Sequence, residues 1–176
     1  MTQPPDAEGT IYSVGHSNHS LAHFLALPAK WRIEVLVDVR SRPYSRYCPH
    51  FCRDALAAAV RSAGLQYLHL GDQLGGMPDD DRFRDQRGKI DYRRVAADPR
   101  FVRGLDRLIA GATRHRTAMM CAEEDPLRCH RYHLITTALR NRGVTVVHIR
   151  GDGRLESDDD VAARDPASAD RQLSLF

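Results

Sequence analysis

The segment CAEEDPLRCHR, residues 121–131, concentrates side chains able to do chemistry. Cys121 and Cys129 offer thiols, His130 an imidazole, Glu123 a carboxylate and Arg131 a guanidinium. Asp125-Pro126 is a helix-start signal, because Asp caps and Pro suits the first helical position. Cys129, His130 and Arg131 are therefore expected in the first turns of a helix, where free N–H groups and the positive dipole end lower a thiol's pKa and bind anions. Three consecutive helical positions cannot all face a core, so at least one of them turns to the rim. Two readings of Cys121 stand side by side: a nucleophile at a strand end, or a small apolar residue closing a core strand.

A second constellation lies in LVDVRSRPYSRY, residues 36–47. Asp38 is a candidate general base or an orienter of an arginine, and Arg40 and Arg42, with Tyr44 beside them, are candidates to clamp phosphate. His16 and Ser17 follow another apolar run, and Gly75-Gly76 would let backbone approach a ligand. Asp38, Cys121, Glu123 and His130 are thus the candidate catalytic groups. His16, Ser17, Arg40, Arg42, Tyr44, Gly75, Gly76, Cys129 and Arg131 are the candidate substrate-binding groups. No metal ligands are assigned: Cys48 and Cys52 enclose three residues, which suits half a zinc site, but Cys121 and Cys129 enclose seven and have no knuckle spacing. Neither a phosphate-binding Walker loop nor a nuclease-type carboxylate cluster is present, so reaction and cofactor stay open.

These residues need elements to hold them. Apolar runs at 10–14, 33–39, 66–70, 117–121 and 144–149 read as five strands, the second of them aliphatic enough to be covered on both faces. Helices are expected over 21–30 behind Ser20, over about 53–63 stopped by Gly64, from Asp98-Pro99 onward, and from Asp125-Pro126 to about 142. Residues 71–89 read as a long loop and 151–171 as a mobile linker. The alternation predicts a three-layer α/β domain over 10–150, with a mainly parallel sheet of about five strands and helices on both faces. In such sheets ligands bind beyond the carboxyl ends of the strands, where the candidate residues stand.

A chain of 176 residues with 42% hydrophobic and 28% charged residues suits one domain, preceded by a disordered stretch over residues 1–9. No apolar run approaches the roughly 18–20 residues that span a bilayer, and the N terminus lacks a signal-peptide pattern. A cytoplasmic protein with reduced cysteines and no membrane partner is expected. The 26 basic residues include only two lysines, Lys30 and Lys89, leaving 24 arginines. A GC-rich genome and recognition of phosphate by guanidinium both explain that skew, and a net charge of +3 does not separate them.

GHSN at 15–18, LVDVRSRPYSRY at 36–47 with Phe51 following, YLHLGDQLGG at 67–76 and CAEEDPLRCHR at 121–131 resemble the motifs of the domain of unknown function 488 family, over about residues 11–149. The resemblance implies a compact α/β fold with a shared polar site and no assigned reaction. Its motif positions are His16, Asp38, Arg40, Arg42, Cys121, Glu123, Cys129, His130 and Arg131. Separately, Gln172-Leu173-Ser174-Leu175-Phe176 resembles the peptide with which bacterial replication and repair proteins hold the DNA sliding clamp. Together these features lead to the expectation of a DNA- or nucleotide-processing enzyme recruited by the clamp. The alternative is a non-catalytic adaptor that binds nucleic acid or a nucleotide.

Overall fold

The fold is that of a computed structural model, which describes residues 9–166. The expected tail peptide, and all but the last residue of the expected disordered N terminus, lie outside the described residues. Six strands form one sheet: β1 (Ile11–Gly15), β2 (Val35–Asp38), β3 (Gln66–His69), β4 (Thr117–Cys121), β5 (Val146–Ile149) and β6 (Leu155–Ser157), in the order β3-β2-β4-β1-β5-β6. The first five run parallel and β6 is antiparallel to β5. The central pair, β1 and β4, is buried at every position, as expected of strands covered on both faces.

Two helices cover one face: α1 (Leu21–Lys30), capped by Ser20, whose side chain accepts from the His23 N–H, and α2 (Arg53–Ser62). Phe24, Leu27, Leu56 and Val60 from these helices pack with Tyr12, Val14, Leu36, Ala118 and Met120 of the strands. After the one-turn α3 (Gly71–Leu74) and the short α4 (Tyr92–Ala96), the opposite face is covered by α5 (Pro99–Ala112). Asp98 caps α5 and Pro99 begins it, and Phe101, Leu105 and Leu108 reach Ile11, Val37, Met119 and Cys121. The period-two alternation of β4 therefore sends Met119 and Cys121 to one layer and Ala118 and Met120 to the other.

Three expectations are corrected. Residues 71–89 are not all loop: they contain α3, a 3₁₀ turn at Asp81–Phe83, and Arg84, which forms an isolated bridge with Ile90. The single helix expected over 125–142 is three pieces, a 3₁₀ turn (Pro126–Arg128), a π-helical turn (Arg131–Thr136) and α6 (Thr137–Arg140). Cys129 separates the first two in extended conformation, φ −132° and ψ 144°, which turns its side chain and that of Arg131 inward.

The mobile linker expected over 151–171 does not hold for its described part. β6 extends the sheet, and α7 (Asp158–Ala163) follows with Val161 fully buried. Ser157 and Asp160 form a reciprocal capping box, and the acidic run 158–160 occupies the first helical turn, where carboxylates favour the dipole. Arg164 pairs with Glu156 and Asp125, and Arg150 with Glu124 and Glu156. A sixth, antiparallel strand thus extends the mainly parallel sheet of about five strands that was expected.

Candidate functional site at the carboxyl edge of the sheet

Chain leaving β1 and β2 passes to the α1/α2 face, whereas chain leaving β4 passes to the α5/α6 face. β4 lies between β1 and β2, so a crevice opens beyond its carboxyl end, the expected place for a ligand. There a cleft of about 240 Å³ is lined by His16, Arg40, Arg42, Tyr44, Gly76, Cys121 and His130, with Ser41, Ser45, Met77 and Ala122 completing the wall. A larger neighbouring cleft, about 440 Å³, is bordered by Asp72, Asp79, Asp80 and Asp98 but by neither Arg40, Cys121 nor His130.

Arg40 is buried and held from two sides. Its Nε and Nη2 donate to the two carboxylate oxygens of Asp38 at 2.9 and 2.6 Å, and its Nη1 lies 3.1 Å from His16 Nε2. Asp38 also accepts from the Arg40 backbone N–H and, at 2.7 Å, from the Tyr67 hydroxyl. With four donors on a fully buried carboxylate, Asp38 fixes the guanidinium and is not placed as a free base. Burial works against the charge on Arg40, but the Asp38 hydrogen bonds and the neighbouring negative charges, Asp38 first, together outweigh it and raise its pKa. Burial first, then the Asp38 charge, pushes the Tyr67 hydroxyl pKa up.

His16 stacks on Phe51 at 4.2 Å, and its Nδ1 lies 2.7 Å from the Ser17 carbonyl. Nδ1 therefore carries the proton and Nε2 accepts from Arg40. Burial, with the Arg40 charge adding to it, brings the His16 pKa down to about 4, so the ring is neutral at pH 7.

On the other wall Cys121 Sγ lies 3.6 Å and Cys129 Sγ 3.8 Å from His130 Nδ1, while His130 Nε2 faces the Val39 carbonyl at 3.2 Å. The two buried thiols are coupled to each other. Their mutual hydrogen bond holds the Cys121 pKa below the usual thiol range, with help from the Arg131 charge, and with burial pushes Cys129 up to about 12. Gly76 makes the site possible, because a Cβ there would sit 2.4 Å from His130 Cβ and Cγ. Gly15 does the same at the end of β1, where a Cβ would meet the Glu123 carbonyl oxygen at 1.8 Å.

Not every candidate joins the cleft. Arg131 is fully buried: Nε donates to Ser13 Oγ at 3.1 Å, Nη2 to the Glu124 carbonyl at 2.6 Å, and Nη1 to the Glu123 carbonyl. It braces the loop after β4 and offers no donor to a ligand, a correction to its expected role in anion binding. Glu123 is exposed and contributes its carbonyl rather than its carboxylate. Cys129 sits behind Cys121 and His130, Ser17 beside His16, and Gly75 lines the neighbouring cleft. Tyr67, Ser41 and Met77 were not among the candidates. Of these, Tyr67 had a readable signal, a polar-tipped aromatic on the strand next to Asp38.

A doubly wound α/β protein with a thiol, imidazole and guanidinium site at its carboxyl edge is the class that fold and site define. The family described as "Domain of unknown function DUF488" matches residues 20–138, and the chain belongs to it. The match includes the segments from β2 and β4 and begins just after the GHSN segment. No curated protein and no solved structure matches the chain. Among the described residues no helix is long and apolar enough to cross a membrane.

Proposed function

We propose that this chain is a cytoplasmic enzyme that processes DNA or a nucleotide, taking an unpaired nucleotide unit into the cleft of Cys121 and His130. The observation that carries the reading is the loop that forms one wall of that cleft. Arg42 and Tyr44 line the cleft, Arg46 and Tyr47 follow them on the same loop, and all four are exposed, Tyr44 at 74% and Tyr47 at 91%. Exposed aromatic rings interleaved with guanidiniums suit stacking on bases and holding phosphates of a single strand. Below them Arg40 presents a fixed positive charge beside the thiol and imidazole.

The test is binding of a short labelled single strand and of free nucleotides at low salt. Tyr44→Ala and Tyr47→Ala should each weaken binding of the strand roughly 5- to 150-fold, the equivalent of about 1–3 kcal/mol per stacked base. Arg42→Ala should weaken it uniformly across sequences and make the salt dependence shallower by about one phosphate contact. Wild-type protein that binds neither ligand would remove this reading. Binding without any product, in wild type and Cys121→Ser alike, would assign the adaptor function instead.

Recruitment to replication or repair rests on Gln172, Leu173, Ser174, Leu175 and Phe176, whose apolar positions suit a pocket on the sliding clamp. Residues 151–166 belong to the fold and supply no tether length. A peptide of residues 170–176, DRQLSLF, should bind purified clamp at about micromolar strength, in keeping with a small contact. Alanine at Leu175 and Phe176 together should abolish that binding. A peptide without affinity for the clamp would separate the enzyme from that machinery.

A further inference from the structure

We propose that Cys121 Sγ, Cys129 Sγ and His130 Nδ1 form a three-donor site for a zinc-class divalent cation whose fourth position opens onto the cleft. The three donor atoms all lie within 4.8 Å of one another, with the imidazole nitrogen 3.6 and 3.8 Å from the two sulfurs. Zinc bonds of about 2.3 Å to sulfur and about 2.0–2.1 Å to nitrogen, at tetrahedral angles, separate such donors by roughly 3.6 Å. The backbone therefore already holds the donors at ligand spacing. Two thiols and an imidazole are the donor set preferred by zinc over magnesium or calcium.

The surroundings match those of a ligand set. His130 Nε2 lies 3.2 Å from the Val39 carbonyl, so in the neutral ring that nitrogen carries the proton and Nδ1 presents its lone pair to the sulfurs. Gly76 packs against the same ring and fixes its orientation. The Arg131 backbone N–H points at Cys129 Sγ at 3.5 Å, a donor suited to a thiolate. Two thiolates and a neutral imidazole balance a doubly charged ion, so loading releases protons and the ion with its three ligands carries no net charge.

Spacing along the chain hid this set. Seven residues between Cys121 and Cys129 make no knuckle, but the extended conformation at Cys129 folds the second thiol back beneath the end of β4. Cys48 and Cys52 are not part of the cluster. Since Cys121 and His130 line the cleft and Cys129 stands behind them, the side left for a fourth ligand is the one that Arg40 also faces. Three protein ligands with one open position is the arrangement of catalytic rather than structural zinc. The inference does not depend on the nucleotide reading, because it is tested by metal binding alone.

The test uses the full chain, reduced and freed of metal with a chelator, then titrated with cobalt(II) without oxygen. One cobalt per chain should give the intense visible bands of a tetrahedral ion and a near-ultraviolet thiolate-to-cobalt charge-transfer band, both displaced by one equivalent of zinc. Cys121→Ser, Cys129→Ser and His130→Ala should each lower zinc affinity by more than about tenfold, the size of even outer-shell losses. Cys48→Ser and Cys52→Ser should leave it unchanged. Circular dichroism checks that each variant is folded, and if one is not, the wild-type spectrum still decides. A wild-type spectrum without thiolate charge transfer overturns the proposal. So do bands that survive in a folded Cys129→Ser or His130→Ala.

Discussion

Arg131→Ala should cost about 3–5 kcal/mol of stability, lowering the melting temperature by roughly 6–20 °C for a chain of this size. Arg131 is among the largest fully buried side chains, and its hydrogen bonds end on the Ser13 hydroxyl and the carbonyls of Glu123 and Glu124. Truncation leaves two main-chain acceptors and one hydroxyl short of a donor in the interior, each costing about 1–3 kcal/mol, and adds a cavity. Lysine should not rescue the site, since a single ammonium cannot reach three acceptors that a planar fork serves together. The loss should also spread to His148, whose Nδ1 is bonded to the same Ser13 hydroxyl at 2.8 Å. Thermal denaturation checks this, with Arg42→Ala as the exposed control that should melt like wild type. An unchanged melting temperature in Arg131→Ala would show that the guanidinium is no brace.

Arg131 also marks the limit of what could be read from the chain. The places where chemistry gathers were legible because they follow strands, and strand ends carry strong signals: aliphatic runs broken by Gly15, by Asp38 and by Cys121. Ser20 and Asp98 likewise announced helix starts that the structure contains. The direction of a side chain after the strand carries no such signal. Spacing alone cannot show that Cys129 leaves helical geometry, and that single extended residue decides that Arg131 turns inward to carbonyls and that Cys129 meets Cys121. The capping box at Ser157 and Asp160 was readable as a short motif, yet the polar composition around it reads equally as solvated linker. What tips it is tertiary: Val161 fills a pocket, and Arg140 and Arg164 meet Asp158 and Glu156.

The Asp38–Arg40 pair should behave as a unit in a double-mutant cycle. Asp38→Ala strands a buried guanidinium that loses both of its carboxylate contacts, and it frees the Tyr67 hydroxyl of its acceptor, so a loss of about 3–5 kcal/mol is expected. Arg40→Ala strands the carboxylate in turn, although Tyr67 and the Arg40 backbone N–H still donate to it, so the loss should be smaller. The double variant removes both charges together and should be less unstable than the sum of the single variants by about 1–3 kcal/mol. Asp38→Asn should fall between wild type and Asp38→Ala, because an amide keeps one acceptor for the guanidinium and loses the charge. Chemical denaturation of the four proteins measures these differences, and additive single effects would show that the pair is not coupled. The same cycle bears on the cleft. With Asp38 gone the guanidinium keeps only its contact with His16, a neutral ring, and a ligand phosphate would have to orient Arg40 itself. If the proposed nucleotide binding holds, phosphate affinity should then drop in Asp38→Ala even though Asp38 does not line the cleft, since the charge offered to a ligand is held in place from behind.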